Sequence, residues 1–185
     1  MVASAHGFCL FDTALGACGI VWGAKGLAGV QLPEADAQAT RRRVARSFPR
    51  ASEEQETQAP TQVRAAMQRI RALLQGSADS LLDIELDMSD VPEFNQRVYA
   101  VTRAIAPGRT LTYGEVALRI GEPGAARAVG QALGRNPFAP VVPCHRVLAA
   151  GSQAGGFSAA GGVATKLRML QIEKAQLGSE PGLFD

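Results

Sequence analysis

Short apolar runs alternate with glycine-containing turns over the first 32 residues. The runs lie at 8–11, 17–22 and 27–31, and Pro33 ends the series. Short runs joined by tight turns favour antiparallel pairing of neighbouring strands. We therefore predict a small antiparallel meander at the start of the chain.

Helical spacing follows the meander, with helices predicted at about 34–47 and 60–75. Gly76 is the expected stop of the second helix. The polar, acidic stretch 49–60 is predicted to be a loop with little capacity to bury side chains. The apolar run 81–86 is predicted to be one more strand. The apolar face of the second helix consists of Val63, Met67, Ile70 and Leu74.

From about residue 89 the pattern becomes mostly helical. Asp90 is expected to cap a helix that has Pro92 in its first turn and ends at Pro107-Gly108. The sequence Thr-Tyr-Gly-Glu at 112–115 is a capping-box pattern that opens a second helix, and a third is predicted at about 125–134. The apolar stripe of the first of these helices consists of Phe94, Val98, Val101 and Ile105.

The second and third of these helices form a helix-turn-helix pattern. Arg127 and Arg135 are the main long polar side chains of the third helix. Small residues elsewhere on it allow either a close approach to nucleic acid or close helix packing, and the pattern does not decide between the two. These small residues are Ala125, Ala126, Ala128, Gly130, Ala132 and Gly134.

A last helix is predicted at about 163–176, with Lys166, Met169, Leu170 and Glu173 in one sector. Glu173 lies at the edge of that sector. It is either a surface side chain or a carboxylate that orients an imidazole. The preceding stretch, 151–162, is rich in Gly, Ala and Ser and is predicted to be a flexible lid.

The chain has 185 residues, of which 46% are hydrophobic, enough for one or two globular domains. The composition changes near residue 88, which predicts domains at 1–88 and 89–177 and a tail at 178–185. No apolar run approaches the ~20 residues that cross a bilayer. We therefore expect a soluble, cytoplasmic monomer with no membrane partner.

The net charge of +2 is unevenly distributed along the chain. Residues 1–88 carry 9 basic and 10 acidic residues, residues 89–177 carry 10 and 5, and the tail carries 0 and 2. The positive second half suits a polyanionic partner and also ordinary solubility. The triple arginine at 41–43 is interpreted as a solvated helix face, since Glu34 and Asp36 lie one to two turns earlier; a nucleic-acid patch is the alternative.

The cysteines number three, and their spacing predicts neither a disulfide framework nor a paired metal site. His6, Cys9 and Cys18 could supply three metal ligands. A strand at 7–11 would direct neighbouring ligands to opposite faces, and no fourth ligand is evident. We expect reduced thiols and no metal.

Cys144 directly precedes His145, one of only two histidines in the chain. A cysteine beside a histidine is either a buried structural residue or a reactive thiolate. The apolar run Val141-Val142 and Pro143 come immediately before it. This arrangement suggests a nucleophile displayed at the end of an extended segment.

The motifs around Cys144 resemble those of the O6-alkylguanine-DNA alkyltransferases, also called methylated-DNA–protein-cysteine methyltransferases. The resemblance covers about 89–177 continuously and 1–88 more loosely. It implies an α+β fold with a ribonuclease H-like N-terminal domain and a mostly helical, winged helix-turn-helix C-terminal domain. The motifs are Thr112-Tyr113-Gly114-Glu115, Ala126-Arg127-Ala128-Val129-Gly130, Asn136-Pro137, Pro143-Cys144-His145-Arg146-Val147, Gly156-Phe157-Ser158 and Glu173.

The resemblance implies that the thiolate of Cys144 takes the alkyl group from O6 of guanine, and from O4 of alkylthymine, in one irreversible step. It implies no cofactor, because the thiolate is itself the acceptor. A thiol with a pKa of ~8.5 is mostly protonated at neutral pH and needs a base. The family pattern assigns that role to His145, acting through a bridging water, and assigns the orientation of His145 to Glu173.

The resemblance also implies that double-stranded DNA containing alkylated guanine binds through its minor groove and that the target nucleotide is flipped out of the stack. Arg127 would fill the vacated space, and Tyr113 would crowd the target phosphate and donate a proton to the guanine. Asn136 would hold the turn before the Cys144 segment. The remaining DNA and base-pocket residues would be Ala126, Gly130, Leu133, Arg135, Val147, Phe157 and Ser158.

Phe157 stands where some members of this family carry tyrosine, so Ser158 and backbone amides would bond the departing O6. The small residues at 155–162 suggest a pocket that accepts groups larger than methyl. Three alternatives remain in view: a sensor of alkylated DNA without transfer activity, a thiol hydrolase, and a helix-turn-helix regulator. Cys144 argues against the sensor, and neither a hydrolase nor a regulator would need the full set of motifs.

Overall fold

The structure is a computed structural model that describes residues 5–152 and 161–176. The predictions for Phe157, Ser158, most of the lid and the tail at 178–185 fall outside the described residues. The strands are β1 (Ala5–Thr13), β2 (Gly16–Gly23), β3 (Gly26–Gln31), β4 (Ser52–Glu53), β5 (Leu111–Thr112) and β6 (Val147–Leu148). The helices are α1 (Ala37–Ser47), α2 (Thr61–Leu73), α3 (Glu93–Arg103), α4 (Tyr113–Arg119), α5 (Ala126–Gly134) and α6 (Val163–Ile172), with short 3-10 turns at Glu56–Gln58, Cys144–Arg146 and Ala150–Ser152.

The N-terminal sheet has the strand order β3-β2-β1-β4. The pairs β1–β2 and β2–β3 are antiparallel, which confirms the predicted meander. Alternation along the strands buries both faces, because neighbouring side chains point to opposite sides. Ile20 packs in the cluster that contains Met67 of α2, whereas Val21 packs with Val44 of α1. The sheet is therefore covered by one helix on each side.

The predicted strand at 81–86 is wrong. Leu81 has a φ of 55°, and the guanidinium Nη2 of Arg103 donates to the carbonyl oxygens of Leu81, Leu82 and Ile84 at 2.9–3.0 Å. The positive φ of Leu81 breaks the extended backbone, and three carbonyls of the run are turned to one guanidinium instead of to a neighbouring strand. Leu86 alone makes an isolated bridge, to Leu27.

Two further predictions about the segments between helices need correction. The stretch 49–60 contains β4, which pairs with β1 in parallel, and it buries Ala59, which is 3% exposed. The helix α3 begins at Glu93, with Pro92 rather than Asp90 at the N-cap. A residue before proline is disfavoured in the helical region, so Val91 cannot start the helix.

The C-terminal part is mostly helical, and its core lies between α3, α4 and α5. Tyr99 on α3 donates its hydroxyl to the carbonyl of Ala132 on α5 at 2.9 Å, and its ring meets Phe138 edge-on. A small sheet in the N-terminal part and helices in the C-terminal part confirm the predicted α+β class. The core of the C-terminal part includes Val98, Val116, Ala117, Val129, Leu133, Val142 and Val147.

The two parts are joined by backbone pairing and by a shared core. The amide of Val30 on β3 donates to the carbonyl of Pro137 at 2.8 Å. Val141 and Met169 belong to the same apolar cluster as the inner face of the sheet. The boundary near residue 88 stays a prediction. Within the described ranges, no helix has the length and apolarity needed to span a bilayer.

Candidate active site

Cys144 begins a single 3-10 turn, Cys144–Arg146, at the end of the apolar segment that follows α5. The turn is closed by the amide of Arg146, which donates to the carbonyl of Pro143 at 2.9 Å. The Cys144 residue is only 7% exposed. A short helical turn bounded by proline fixes the direction of the thiol.

Asn136 holds the loop that leads from α5 to this turn. Its Nδ2 donates to the carbonyl of Val142 at 2.8 Å, and its Oδ1 accepts from the amide of Phe138 at 2.9 Å. The amide of Cys144 in turn donates to the same Val142 carbonyl at 2.9 Å. The Asn136 side chain therefore ties together two points of this loop, Phe138 and Val142, and its part in the reaction stays a prediction.

His145 is fully buried and meets the carboxylate of Glu173 at the C-terminal end of α6. The distance from Nε2 to Oε1 is 2.8 Å, and the two side chains are 0% and 3% exposed. A carboxylate beside Nε2 requires that nitrogen to carry the proton, which leaves a lone pair on Nδ1. Nδ1 has no hydrogen-bond partner among the described residues.

Arg146 binds the other side of the same carboxylate. Its Nη2 donates to Oε1 of Glu173 at 2.7 Å and its Nε to Oε2 at 3.0 Å. Nη1 donates to the carbonyl of Ile105 at 2.7 Å, and the amide of Gly108 adds a bond to Oε2 at 3.3 Å. The carboxylate therefore links the Cys144 turn, the end of α6 and the loop that follows α3.

The electrostatics of this cluster favour an anionic Glu173 beside a neutral imidazole. Burial would raise the pKa of Glu173, but the hydrogen bonds from His145 and Arg146 outweigh it and hold the pKa at about 2. Burial lowers the pKa of His145, against the opposing effect of Glu173. A neutral imidazole with a free Nδ1 lone pair can accept a proton.

The thiol of Cys144 is disfavoured as a free thiolate. Burial raises its pKa, and the Asn136 side chain, the charge of Lys166 and the backbone amides of Cys144 and His145 act in the opposite direction. The raised pKa means that the thiol holds its proton at neutral pH. A nucleophilic reaction at this sulfur therefore needs a proton acceptor.

Lys166 of α6 is a fully buried cation close to the same turn. Its Nζ donates to the carbonyl of Val147 at 2.6 Å and lies 5.7 Å from the ring centre of Tyr113. Burial lowers the pKa of Lys166 to about 8. Burial also raises the pKa of Tyr113, so its hydroxyl keeps its proton.

The helix α5 presents the predicted DNA-facing residues in three environments. Arg127 and Arg135 are exposed, Ala126 and Gly130 are half-buried, and Leu133 and Val147 are buried. Some of the small residues serve packing, since Ala132 is 2% exposed in the core. Others face open space: a Cβ added at Gly134 would meet no described atom within 4 Å.

Two charged residues of the cluster, Arg146 and Lys166, received no role from the sequence. Charged side chains are almost never fully buried unless they are paired, so residue type alone does not predict their burial. One signal was available for Lys166, because it shares the inward sector of α6 with Met169 and Leu170. Arg146 has no local signal, because its partner lies 27 residues away.

The possible metal ligands near the N-terminus do not come together. The Sγ of Cys9 contacts the sulfur of Met67 at 3.7 Å, and that of Cys18 lies 3.6 Å from the hydroxyl of Thr13. Burial raises the pKa values of the two thiols to about 11 and about 12. Across residues 5–152 and 161–176 no group of three His, Cys, Asp or Glu side chains is placed to hold a metal ion.

Comparison with known proteins identifies the family. Residues 93–175 match the family model of the 6-O-methylguanine DNA methyltransferase DNA-binding domain. The methylated-DNA–protein-cysteine methyltransferase of Methanothermobacter thermautotrophicus is 35% identical over 160 residues, which are 86% of this chain and 80% of that protein. The chain belongs to this methyltransferase family. The relative from Mycobacterium leprae is 49% identical over 102 residues, so that match spans 60% of its length and 55% of this chain.

Solved structures of the family have the same fold. The crystal structure of the Mycobacterium tuberculosis O6-methylguanine methyltransferase superposes with a TM-score of 0.71 at 31% identity, covering 98% of this chain and 99% of that one. A structure of the protein from the same organism in complex with DNA gives 0.71 at 30% identity, covering 90% and 92%. The N-terminal sheet and the helical part therefore both have counterparts in the family.

Proposed function

We propose that this protein repairs DNA by transferring the alkyl group of O6-alkylguanine, and of O4-alkylthymine, to its own Cys144. The observation that carries the proposal is the buried sequence Cys144-His145 with Nε2 of His145 fixed by Glu173. This fixes the tautomer in which Nδ1 is basic. The acceptor is a side chain of the protein, so each molecule acts once and needs no cofactor.

The proposed step conserves atoms and electrons. Sγ of Cys144 forms a bond to the alkyl carbon while the bond from that carbon to O6 breaks, and its electron pair passes to the guanine. The thiol proton moves to Nδ1 of His145 through a bridging water, and Tyr113 donates a proton to the guanine as it leaves. The proton held by His145 then returns to the Tyr113 oxygen and restores its hydroxyl. The net products are a thioether at Cys144 and an unmodified guanine.

Duplex DNA is the proposed partner, bound by a monomer of this protein through the minor groove. The related protein from Mycobacterium tuberculosis has been crystallised with DNA. In this chain α5 presents exposed Arg127 and Arg135 beside half-buried small residues, which suits close approach to a groove. Arg127 would occupy the space of the flipped nucleotide. Since the substrate is genomic DNA, the proposed location is cytoplasmic.

The decisive test is the mass of the peptide that contains Cys144 after incubation with a duplex bearing one O6-methylguanine. We expect a gain of one methyl group per protein molecule and no further gain with excess DNA. Cys144→Ala should bind the duplex without a mass gain. If the unchanged protein bound the lesion without gaining mass, it would be a sensor. Repair of many lesions per protein would instead indicate a turning-over hydrolase.

A further inference from the structure

The helix α1 presents a row of exposed arginines whose charge is not neutralised. Thr40 and Val44 are its buried residues, and Arg42 and Arg46 lie on the opposite side at helical spacing. We call the set Arg42, Arg43, Arg46 and Arg50 the α1 basic face; all four are exposed. In the part of the chain that the structure describes, none of these four makes an ion pair.

The acidic residues near this helix are engaged elsewhere. Asp36 caps α1 by accepting from the amide of Ala39 at 2.7 Å. Glu34 accepts from Nε2 of Gln31 at 3.3 Å. The one ion pair of this helix within the described residues joins Arg41 to Glu53. The counter-charges that the sequence offers for a balanced, solvated face are therefore not beside the α1 basic face.

The C-terminal end of α1 meets the turn that follows α5. Phe48 caps α1, and a Cβ added at Gly29 would lie 2.6 Å from its Cζ and 3.4 Å from the carbonyl oxygen of Pro137. Phe48 and Pro137 thus approach each other over β3. Exposed Arg46 and Arg50 flank Phe48, and exposed Arg135 lies two residues before Pro137. Exposed arginines from two separate elements therefore lie within two residues of the two sides of one junction.

We propose that the α1 basic face binds the phosphates of duplex DNA beyond the segment held by α5, so that the N-terminal part of the chain shares in DNA binding. The proposal rests on the proposed function, which makes duplex DNA the partner. Guanidinium groups bind phosphate oxygens in a forked geometry. The large apolar side chains exposed within the described residues are Leu82, Leu118 and Val163, none of them on α1. A protein partner would need an apolar centre, so the chemistry favours nucleic acid.

The test compares the unchanged protein with the triple variant Arg42→Gln/Arg46→Gln/Arg50→Gln, called the glutamine variant. Each protein is titrated with two lesion-free duplexes, a short one of about one helical turn and a long one of about three. Binding is measured by fluorescence anisotropy over a range of salt concentrations. Each lost phosphate contact reduces the slope of log K against log salt by about 0.9. We expect a slope smaller by about 2 to 3 and affinity weaker by about tenfold or more on the long duplex, with little change on the short one.

Two control variants accompany the test. Arg64→Gln removes an exposed arginine from α2, on the other side of the sheet, and should leave the slope unchanged. Arg42→Lys/Arg46→Lys/Arg50→Lys keeps the charge and should retain most of the affinity for the long duplex. If the lysine variant retains its affinity for the long duplex, the loss of affinity in the glutamine variant comes from the missing charge and not from misfolding.

Equal slopes for the unchanged and glutamine proteins on the long duplex would overturn the proposal. The proposal would also be overturned if the glutamine variant differed from the unchanged protein only in self-association, measured by sedimentation without DNA. That result would assign the arginines to contact with a second copy of the chain. Methyl transfer is followed separately by mass. On a short duplex that carries one O6-methylguanine, the glutamine variant should still gain a methyl group at Cys144, whereas a failure of the proposed function would abolish transfer in every variant.

Discussion

Oε1 of Glu173 lies 2.8 Å from Nε2 of His145, and neither side chain is more than 3% exposed. The same oxygen accepts from Nη2 of Arg146 at 2.7 Å. One carboxylate therefore serves two consecutive residues in different ways. It fixes the tautomer of the imidazole, and it is the counter-ion of a buried guanidinium.

Glu173→Gln should destabilise the protein strongly. Glutamine keeps an oxygen that can accept from His145, but it leaves the buried charge of Arg146 without its counter-ion. Breaking one side of a buried ion pair costs about 3–5 kcal/mol of unfolding free energy. Urea denaturation at pH 7 measures the loss. Glu122→Gln is the matched control, because the Glu122–Arg97 pair has both side chains 43% exposed and its loss should cost less than about 1 kcal/mol. Similar losses for the two variants would contradict the prediction.

The stability of the protein should fall in acid in two stages. Burial lowers the pKa of His145 below its ordinary 6.5, so the unfolded chain takes up this proton first and stability falls as pH drops below 6.5. Glu173 has its pKa lowered from 4.5 to about 2, so its contribution is complete above pH 4.5 and is lost towards pH 2. Urea unfolding at several pH values measures both stages. Glu173→Gln should lack the second stage, and an identical acid profile would refute this assignment.

The two hydrogen bonds of the Asn136 side chain should have separable effects, one as donor and one as acceptor. Asn136→Asp keeps the oxygen that accepts from Phe138 but loses the donor to Val142 and adds a negative charge near Cys144. That charge would raise the pKa of the thiol further, so methyl transfer at pH 7 should slow and its pH profile should move upward. Asn136→Ala should cost about 1–3 kcal/mol of stability, because the buried Phe138 amide loses its hydrogen-bond acceptor. The exposed Gln68→Ala is the control for stability. A transfer rate unchanged in Asn136→Asp would rule out the electrostatic argument.

Lys166 should make stability depend on pH on the alkaline side. Its pKa falls from 10.5 to about 8 because of burial, so between these values the unfolded chain binds more protons than the folded one. The free energy of unfolding should therefore rise with pH over that window, relative to a variant without this amine. Thermal or urea unfolding of the protein and of Lys166→Met from pH 7.5 to 10.5 tests this. A difference between the two that stays constant with pH would contradict the lowered pKa.

Features set by neighbouring residues could be predicted from the sequence. Thr112 and Glu115 form the predicted capping box, with the Thr112 amide donating to Glu115 at 2.6 Å and the Glu115 amide to the threonine hydroxyl at 3.2 Å. The helix α5 and the meander follow from periodicity in the same way. Spacing along α6 put Glu173 at the edge of the inward sector, whereas its burial and its partners depend on the tertiary fold.

Features set by distant partners were missed. The apolar run 81–86 has the composition of a strand, but Arg103 binds its carbonyls from about 20 residues away. Lys166 and Arg146 are buried because each donates hydrogen bonds to a distant group: Lys166 to a carbonyl 19 residues away and Arg146 to a carboxylate 27 residues away. No local pattern records such pairings.

Gly130→Ala should have opposite effects on the stability of the protein and on its affinity for duplex DNA. A Cβ at this position would lie 3.9 Å from the ring of Tyr113, an ordinary contact, and the position is inside the helix α5. Alanine in a helix interior is more stabilising than glycine by about 0.5–1 kcal/mol, so the melting temperature should rise. The added methyl would nevertheless enlarge a surface proposed to approach the floor of the minor groove, so affinity for duplex DNA should fall. Gln68→Ala on α2 is the control, because this exposed position lies on the far side of the N-terminal sheet and the change should leave the affinity for DNA unaltered. A more stable Gly130→Ala protein that binds DNA as tightly as the unchanged chain would show that the small residues of α5 serve packing and not the groove.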